Sequence, residues 1–584
     1  MVVLQNSGQL RENGDTPMQM AELEKKEEEE ETELEKKEEE EEGKPRERWG
    51  NHMEFLLAAI GFAVGTGNVW RFPYLAQKNG GGAFLLPYAI MLLVEGLPLF
   101  YLELALGQKM QMGFIKIWTS IRPYFKGIGI GQLIVCLQMT AYFPMVMTWC
   151  MYYFYLSFSS PLPWQECADK NDMCCMNDSA AHLWYESSLQ ATPSIDDTGE
   201  FIPAIAGCWF IGWVLTYMCL FKGIQSSGKA AYFTATFPYV VLIALFIRGV
   251  TLEGAGNGIK VFFTPDFEKL LDPFIWMDAA GQIFYSIGVG FGAIICFGSY
   301  NPVKNNCSRD ALIISLVNCG TSVFAGIVVY SVLGFREAKL GIPVEDMTGG
   351  PGLAFIAYPT AVAEMPLSQM WAAAFFFMMI LLAIDSEFGV IEACVGPLQD
   401  YPFFRQVRKE ILCLLVCLFL CLVGLPMCTQ SGLYVFVLWD TFSVALPLLF
   451  IGVAECIAIG WFYGLDKICD DIEYMTGSQP HVYWKICWKF VSPAVITIIL
   501  IASLVKTCLN PPQYTTYVGC DPLNPTGSKD WTKDVPFTWW SQILGAVMVM
   551  LPVLPMPLFA AWHFLSERFF SGDRNCEVIQ FHVP

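Results

Sequence analysis

Asp385 lies in the stretch AAAFFFMMILLAIDSEF (372–388), a carboxylate set into a run long and apolar enough to lie within a bilayer. An acid at that depth is costly, so an intramembrane role is the default reading, and a bound cation would offset its cost. Asn68 and Arg71 follow three glycines (Gly61, Gly65, Gly67) in GFAVGTGNVWRFP (61–73). Ser286 is the hydroxyl at the break of a second glycine-interrupted stretch, GQIFYSIGVGFGAIICFGSY (281–300).

These residues need broken helices to position them. Each interior glycine costs about 1 kcal/mol relative to alanine in a helix. Unwound backbone at membrane depth survives only where it lines a cavity or is buried in protein. A polar residue at such a break, with a cation just beyond it, is how secondary transporters hold ions and substrate at the midplane. The glycines of 281–300 do not make a phosphate loop, because no strand precedes them and no Lys-Ser/Thr follows.

The sequence predicts twelve spans, at residues 53–76, 83–108, 127–156, 203–221, 230–246, 274–299, 310–335, 368–398, 412–425, 434–462, 491–505 and 537–565. An even count puts both termini on one side. Lys109, Lys116, Arg122 and Lys126 follow span two, Lys222 and Lys229 follow span four, and Arg405, Arg408 and Lys409 follow span eight. By the positive-inside rule that side is cytoplasmic. The breaks in spans one and six imply two five-helix halves in inverted topology, with two spans appended. The expected fold class is therefore an all-α polytopic membrane protein. Its domains are an acidic disordered tail (1–45), a transporter core (46–565) with an extracellular loop at 159–201, and a cytoplasmic tail (566–584).

Composition agrees: 54% of the 584 residues are hydrophobic, 15% are charged, and mean hydropathy is +0.44. Residues 22–42 hold 14 glutamates and 4 lysines, half of the net charge of −20. With charges sparse elsewhere, nucleic-acid binding has no support. Five histidines without an HExxH or a paired Cys-x-x-Cys pattern give no metalloenzyme, and no nucleophile–base set suggests an enzyme of another kind. Most of the 21 cysteines read as small buried hydrophobes. The loop 159–201 is the exception: Cys167 is expected to pair with Cys174 or Cys175, and Asn177-Asp-Ser179 is a glycosylation acceptor. A second acceptor sequence, Asn306-Cys-Ser308, falls on the cytoplasmic side and should be silent.

The string GFAVGTGNVWRFP, followed by NGGGAFLLPYAIMLLVEGLPLFYLELALGQ (79–108), closely resembles the neurotransmitter:sodium symporters, in a eukaryotic amino-acid branch. The likeness covers residues 46–565 and implies a sodium- and chloride-coupled symporter for a neutral, apolar amino acid, working by alternating access in the plasma membrane. The implied partners are that substrate and the lipid bilayer, with room for an accessory membrane protein. Carried over position by position, one sodium is held by groups matching the carbonyl of Ala63 and the side chains of Asn68, Ser286 and Asn318. The other is held by the carbonyls of Gly61, Val64 and Leu382 and the side chains of Asp385 and Ser386. The chloride site matches Tyr88, Gln282, Ser286, Asn318 and Ser322, a neutral serine standing where chloride-independent relatives carry glutamate. The substrate wall matches Gly65, Thr66, Gly67, Met139, Phe143, Tyr285, Ser286, Gly288, Phe291, Ser386 and Val390. Glycine at 65, where monoamine carriers have aspartate, leaves room for a substrate carboxylate. Arg71–Asp440 and Arg46–Asp400 match the outer and inner gates.

One position departs from the pattern. The family places a tyrosine on span three whose hydroxyl donates to the substrate carboxylate, and alignment on Trp149 puts Phe143 there. A second function class stays open on that account: a non-transporting or atypical-substrate member acting as a sensor or a trafficking partner.

Overall fold

The computed structural model describes residues 47–167, 172–221, 223–341, 343–344, 352–519 and 532–570. The acidic tail, Arg46 and the chain beyond 570 lie outside the described residues. Among the described residues eight helices are long and apolar enough to cross a membrane, and two bent pairs raise the count to ten. One bent pair is span one, His52–Ala63 with Gly67–Lys78 at 45°; the other is span twelve, Trp539–Val553 with Pro555–Ser566 at 47°. The remaining two expected spans fall short of that length for identifiable reasons. Span six is divided into Pro273–Ile287 and Ala293–Ser299, and span nine, Lys409–Val423, has only 15 residues. Counting both gives the twelve-span, all-helical architecture.

The boundaries differ from expectation most toward the C-terminal end. Span ten begins at Gly432 and ends at Gly464, whose φ of +101° and ψ of 127° leave the helix, and a separate helix, Leu465–Thr476, follows. Span eleven begins at Val482 rather than at 491 and runs to Leu509. The last helix, Pro555–Phe570, runs past 565. Between spans eleven and twelve the chain forms a two-stranded antiparallel hairpin, Gln513–Tyr517 with Thr532–Pro536, which the hydrophobic pattern does not announce. Tyr517 from this hairpin stacks on Tyr185 of the long loop after span three, at 5.2 Å and 11°.

The breaks that position the site have local causes. Span one leaves the helix at Val64, whose φ of −91° and ψ of 90° are extended, and resumes as a wide turn over Gly67–Arg71. Asn68 mends part of the gap by accepting a hydrogen bond from the Gly65 N–H at 2.9 Å. Span six turns on Gly288, Gly290 and Gly292, with φ of +73°, +83° and +75°. A residue with a side chain pays about 1–2 kcal/mol in that conformation. Glu103 of span two supports the break, accepting from the Gly290 N–H at 2.7 Å.

A methyl group on Gly288 would also fall 2.4 Å from the Phe62 ring. Gly288→Ala should therefore lower the thermal unfolding temperature of the purified protein. An unchanged midpoint would mean that the break tolerates a right-handed residue.

Candidate functional site

The two breaks face each other around a small cavity of about 30 Å³. Gly65, Gly67, Met139, Phe143, Tyr285, Ser286, Gly288, Phe291 and Ser386 line it, as do Ala63 and Asn68. Two expected wall residues do not. Thr66 is buried with its hydroxyl unpartnered among the described residues, and Val390 is buried outside the wall. Phe62, absent from the expected set, does line it; its ring wedges against both Gly288 of span six and Gly389 of span eight. An aromatic in an apolar run carries no signal of this role, and only the spatial pairing with two glycines exposes it.

One cluster of oxygens lies where spans one, two, six and seven meet. The Asn68 amide donates to Asn318 Oδ1 at 2.7 Å and Ser322 Oγ at 2.8 Å, and lies 3.3 Å from Ser286 Oγ. Asn318 Nδ2 donates to Ser286 Oγ at 3.0 Å, and the Tyr88 hydroxyl to Ser322 Oγ at 3.3 Å. Gln282 is buried, and neither its amide nitrogen nor its oxygen has a hydrogen-bond partner among the described residues. The structure thus brings together Asn68, Ser286, Asn318, Ser322 and Tyr88, with an unsatisfied Gln282 one helical turn before Ser286.

The second cluster is built on span eight, Ser368–Gln399. Asp385 is 4% exposed, and neither carboxylate oxygen has a hydrogen-bond partner among the described residues. Its oxygen lies against span one so closely that a methyl group on Gly61 would sit 2.8 Å from Oδ2. The adjacent Ser386 hydroxyl donates to the Phe62 carbonyl at 3.3 Å, and a methyl on Gly65 would meet it at 2.4 Å. Leu382 is buried one turn earlier, and Val64 is buried at the point where span one unwinds. A buried carboxylate without a donor, facing backbone with no side chain between, is a strongly unfavourable arrangement unless a positive charge joins it.

Above the cavity a vestibule of about 1460 Å³ opens, lined by Arg71 and Asp440 among others. Arg71 Nη1 stands 3.8 Å from Asp440 Oδ1, both partly exposed, and its guanidinium lies 4.2 Å from the centre of the Tyr285 ring. On the opposite side, Trp49 donates to the Phe297 carbonyl at 3.1 Å and packs edge-on against Phe297 and Tyr300. Asp400 accepts from the Gly113 N–H at 2.6 Å, while its expected partner Arg46 lies outside the described residues. A second charged group sits nearby and was not foreseen: Glu392 Oε1 accepts from Tyr300 at 2.6 Å and from Lys409 at 2.9 Å. In the long loop the disulfide joins Cys167 to Cys175, and Cys174 is disulfide-bonded as well. Asn177 closes the short helix Met173–Asn177 beside them.

Two broken helices within a twelve-span bundle, crossing at buried oxygen ligands, define a secondary transporter. Over residues 46–567 the chain matches the sodium:neurotransmitter symporter family, and it belongs to that family. The sodium- and chloride-dependent creatine transporter 1 of Oryctolagus cuniculus is 40% identical over 560 residues, covering 91% of this chain and 85% of that protein. The sodium- and chloride-dependent GABA transporter 2 of Mus musculus is 38% identical over 561 residues, covering 92% and 90%. The sodium- and chloride-dependent glycine transporter 1 of Xenopus laevis is 39% identical over 572 residues, covering 91% and 87%. These relatives are transporters and not enzymes.

Proposed function

We propose that the protein is a sodium- and chloride-coupled symporter that imports a small zwitterion by alternating access across the plasma membrane, with both termini cytoplasmic. The observation that carries this reading is the Asp385 carboxylate, buried, without a hydrogen-bond partner among the described residues, and held against Gly61 in the last turn of the first half of span one. A sodium ion coordinated by Asp385, Ser386 and the carbonyls of Gly61, Val64 and Leu382 neutralises that charge with the hard oxygen ligands it prefers. Asn68, Ser286, Asn318 and the Ala63 carbonyl would hold the second sodium.

Chloride fits the neighbouring cluster on the same grounds. The Tyr88 O–H reaches Ser322, Gln282 has an N–H unused among the described residues one turn before Ser286, and none of the three carries charge. An anion from solution supplies the compensation that a fixed carboxylate would otherwise give. Replacing Ser322 with glutamate should therefore relax the chloride requirement. Equal uptake by the unaltered protein in gluconate would refute the chloride assignment.

No charged side chain lines the cavity, so the polar ends of the substrate are met by backbone, hydroxyls and sodium. That favours a neutral, apolar amino acid. Creatine, GABA and glycine, the substrates in the relatives' names, each pair a carboxylate with a cationic nitrogen group and share this chemistry. Phe143 supports a second reading, in which a site lacking the expected hydroxyl binds an atypical ligand and signals rather than transports. Currents evoked by glycine, GABA, creatine and apolar amino acids in cells expressing the chain separate the two. Inward current for any of them supports the symporter, and tight binding with no current supports the sensor.

A further inference from the structure

Tyr142 is the last residue of the helix Lys126–Tyr142, and the next residue, Phe143, turns to line the cavity. Tyr142 itself is fully buried and points elsewhere: its hydroxyl donates to Asp440 Oδ1 at 3.1 Å. Its ring packs edge-on against Phe436 of span ten, 5.4 Å between centres. Both Phe436 and Asp440 line the vestibule, whereas Tyr285 lines the cavity beneath. Arg71 bridges the two levels from above, over the Tyr285 ring.

Among the described residues, the Tyr142 hydroxyl is the one hydrogen-bond donor to the Asp440 carboxylate. The Arg71–Asp440 approach of 3.8 Å is too long for a hydrogen bond, and both side chains are partly hydrated. Such a pair holds little by itself. A hydrogen bond from a buried hydroxyl to a carboxylate is firmer, because the acceptor is charged and the donor's alternative, water, is excluded.

We propose that Tyr142 is the latch of the lid over the substrate cavity: a positioning residue that fixes Asp440 so that Arg71 and Tyr285 close beneath it. The inference rests on reading Arg71 and Asp440 as a gate. It assigns span three a double task through consecutive residues, Phe143 facing the substrate and Tyr142 holding the door. The hydroxyl missing from the cavity wall at 143 is thus not replaced by its neighbour, whose own hydroxyl is engaged one level higher.

The test reads lid opening without needing a transported substrate. Met139→Cys, a cavity position, serves as reporter in the full-length protein, labelled by a charged, membrane-impermeant methanethiosulfonate and quantified by peptide mass so that native cysteines are told apart. Tyr142→Phe keeps the ring against Phe436 and removes only the hydroxyl. It should raise the labelling rate about ten-fold, the scale of losing one hydrogen bond to a charged group. Asp440→Ala should raise it similarly, and the double variant should label no faster than the faster single one, because both remove one interaction. A Tyr142→Phe rate equal to that of the reporter alone overturns the proposal, as do single effects that multiply in the double variant. Labelling that responds as expected, while the unaltered protein with native Met139 moves no tested solute, would refute the symporter reading and leave the latch standing. Transport with a labelling rate insensitive to Tyr142 would do the reverse.

Discussion

Replacing Asp385 with alanine should abolish sodium-driven uptake while the protein still reaches the membrane. The carboxylate has no hydrogen-bond partner among the described residues, and it lies against Gly61, in the last helical turn before span one unwinds at Val64. Without it, a cation there would meet only neutral oxygens in a water-poor site. The same change has an unusual expectation for stability. An uncompensated buried charge costs several kcal/mol, so in sodium-free buffer the variant should unfold at a higher temperature than the parent. A ligand that binds only the folded state stabilises it by about 2.7 kcal/mol at one hundred times its dissociation constant. The parent's unfolding temperature should therefore climb on adding sodium, and the rise in the variant should be smaller. Thermal unfolding of both proteins against sodium concentration checks this, with choline as the matched cation. Normal uptake by Asp385→Ala would remove this ion site from the account.

Restoring the hydroxyl at Phe143 is expected to have the next largest effect. Phe143 lines the cavity and is 4% exposed, so a para-hydroxyl there is expected to meet a ligand bound at the proposed site. A hydrogen bond to a charged group contributes about 1.5–3 kcal/mol, or a roughly ten- to hundred-fold change in affinity. Phe143→Tyr should tighten the apparent affinity for at least one neutral amino acid, or create uptake where none was measurable. Reduced binding instead would mean that the native ligand keeps its acid group elsewhere, or has none. An unchanged affinity profile would mean that residue 143 does not meet the ligand.

The parts of this architecture that were legible in the sequence are those whose physics is local. Glycines next to Asn68 and Ser286 mark helix breaks because a continuous membrane helix has no use for them, and Asp385 stands out against its apolar neighbours. Contacts between distant segments were not legible. Phe62 gave no warning that it would wedge between Gly288 and Gly389, since any aromatic in span one has the same signature. Glu103 was not singled out in span two, and nothing local marks it as the acceptor that secures Gly290. Cys174 and Cys175 are neighbours in the chain, and only the fold of the loop selects Cys175 as the partner of Cys167. The hairpin at 513–536 was missed because its second strand, TKDVP, is polar and ends in proline, which reads as loop. Tyr142, next to Phe143, cannot stand in for the missing hydroxyl, because one residue turns a helix by about 100°. The same turn is what carries its hydroxyl to Asp440.

The central claim is that sodium drives solute through the cavity between the two breaks. The most direct measurement is uptake of radiolabelled glycine, GABA, creatine and leucine into liposomes holding the purified protein, with sodium chloride outside and potassium inside. Uptake of at least one solute above its equilibrium level, collapsing when N-methyl-D-glucamine replaces sodium, is the predicted result. Equal accumulation without sodium would contradict the account.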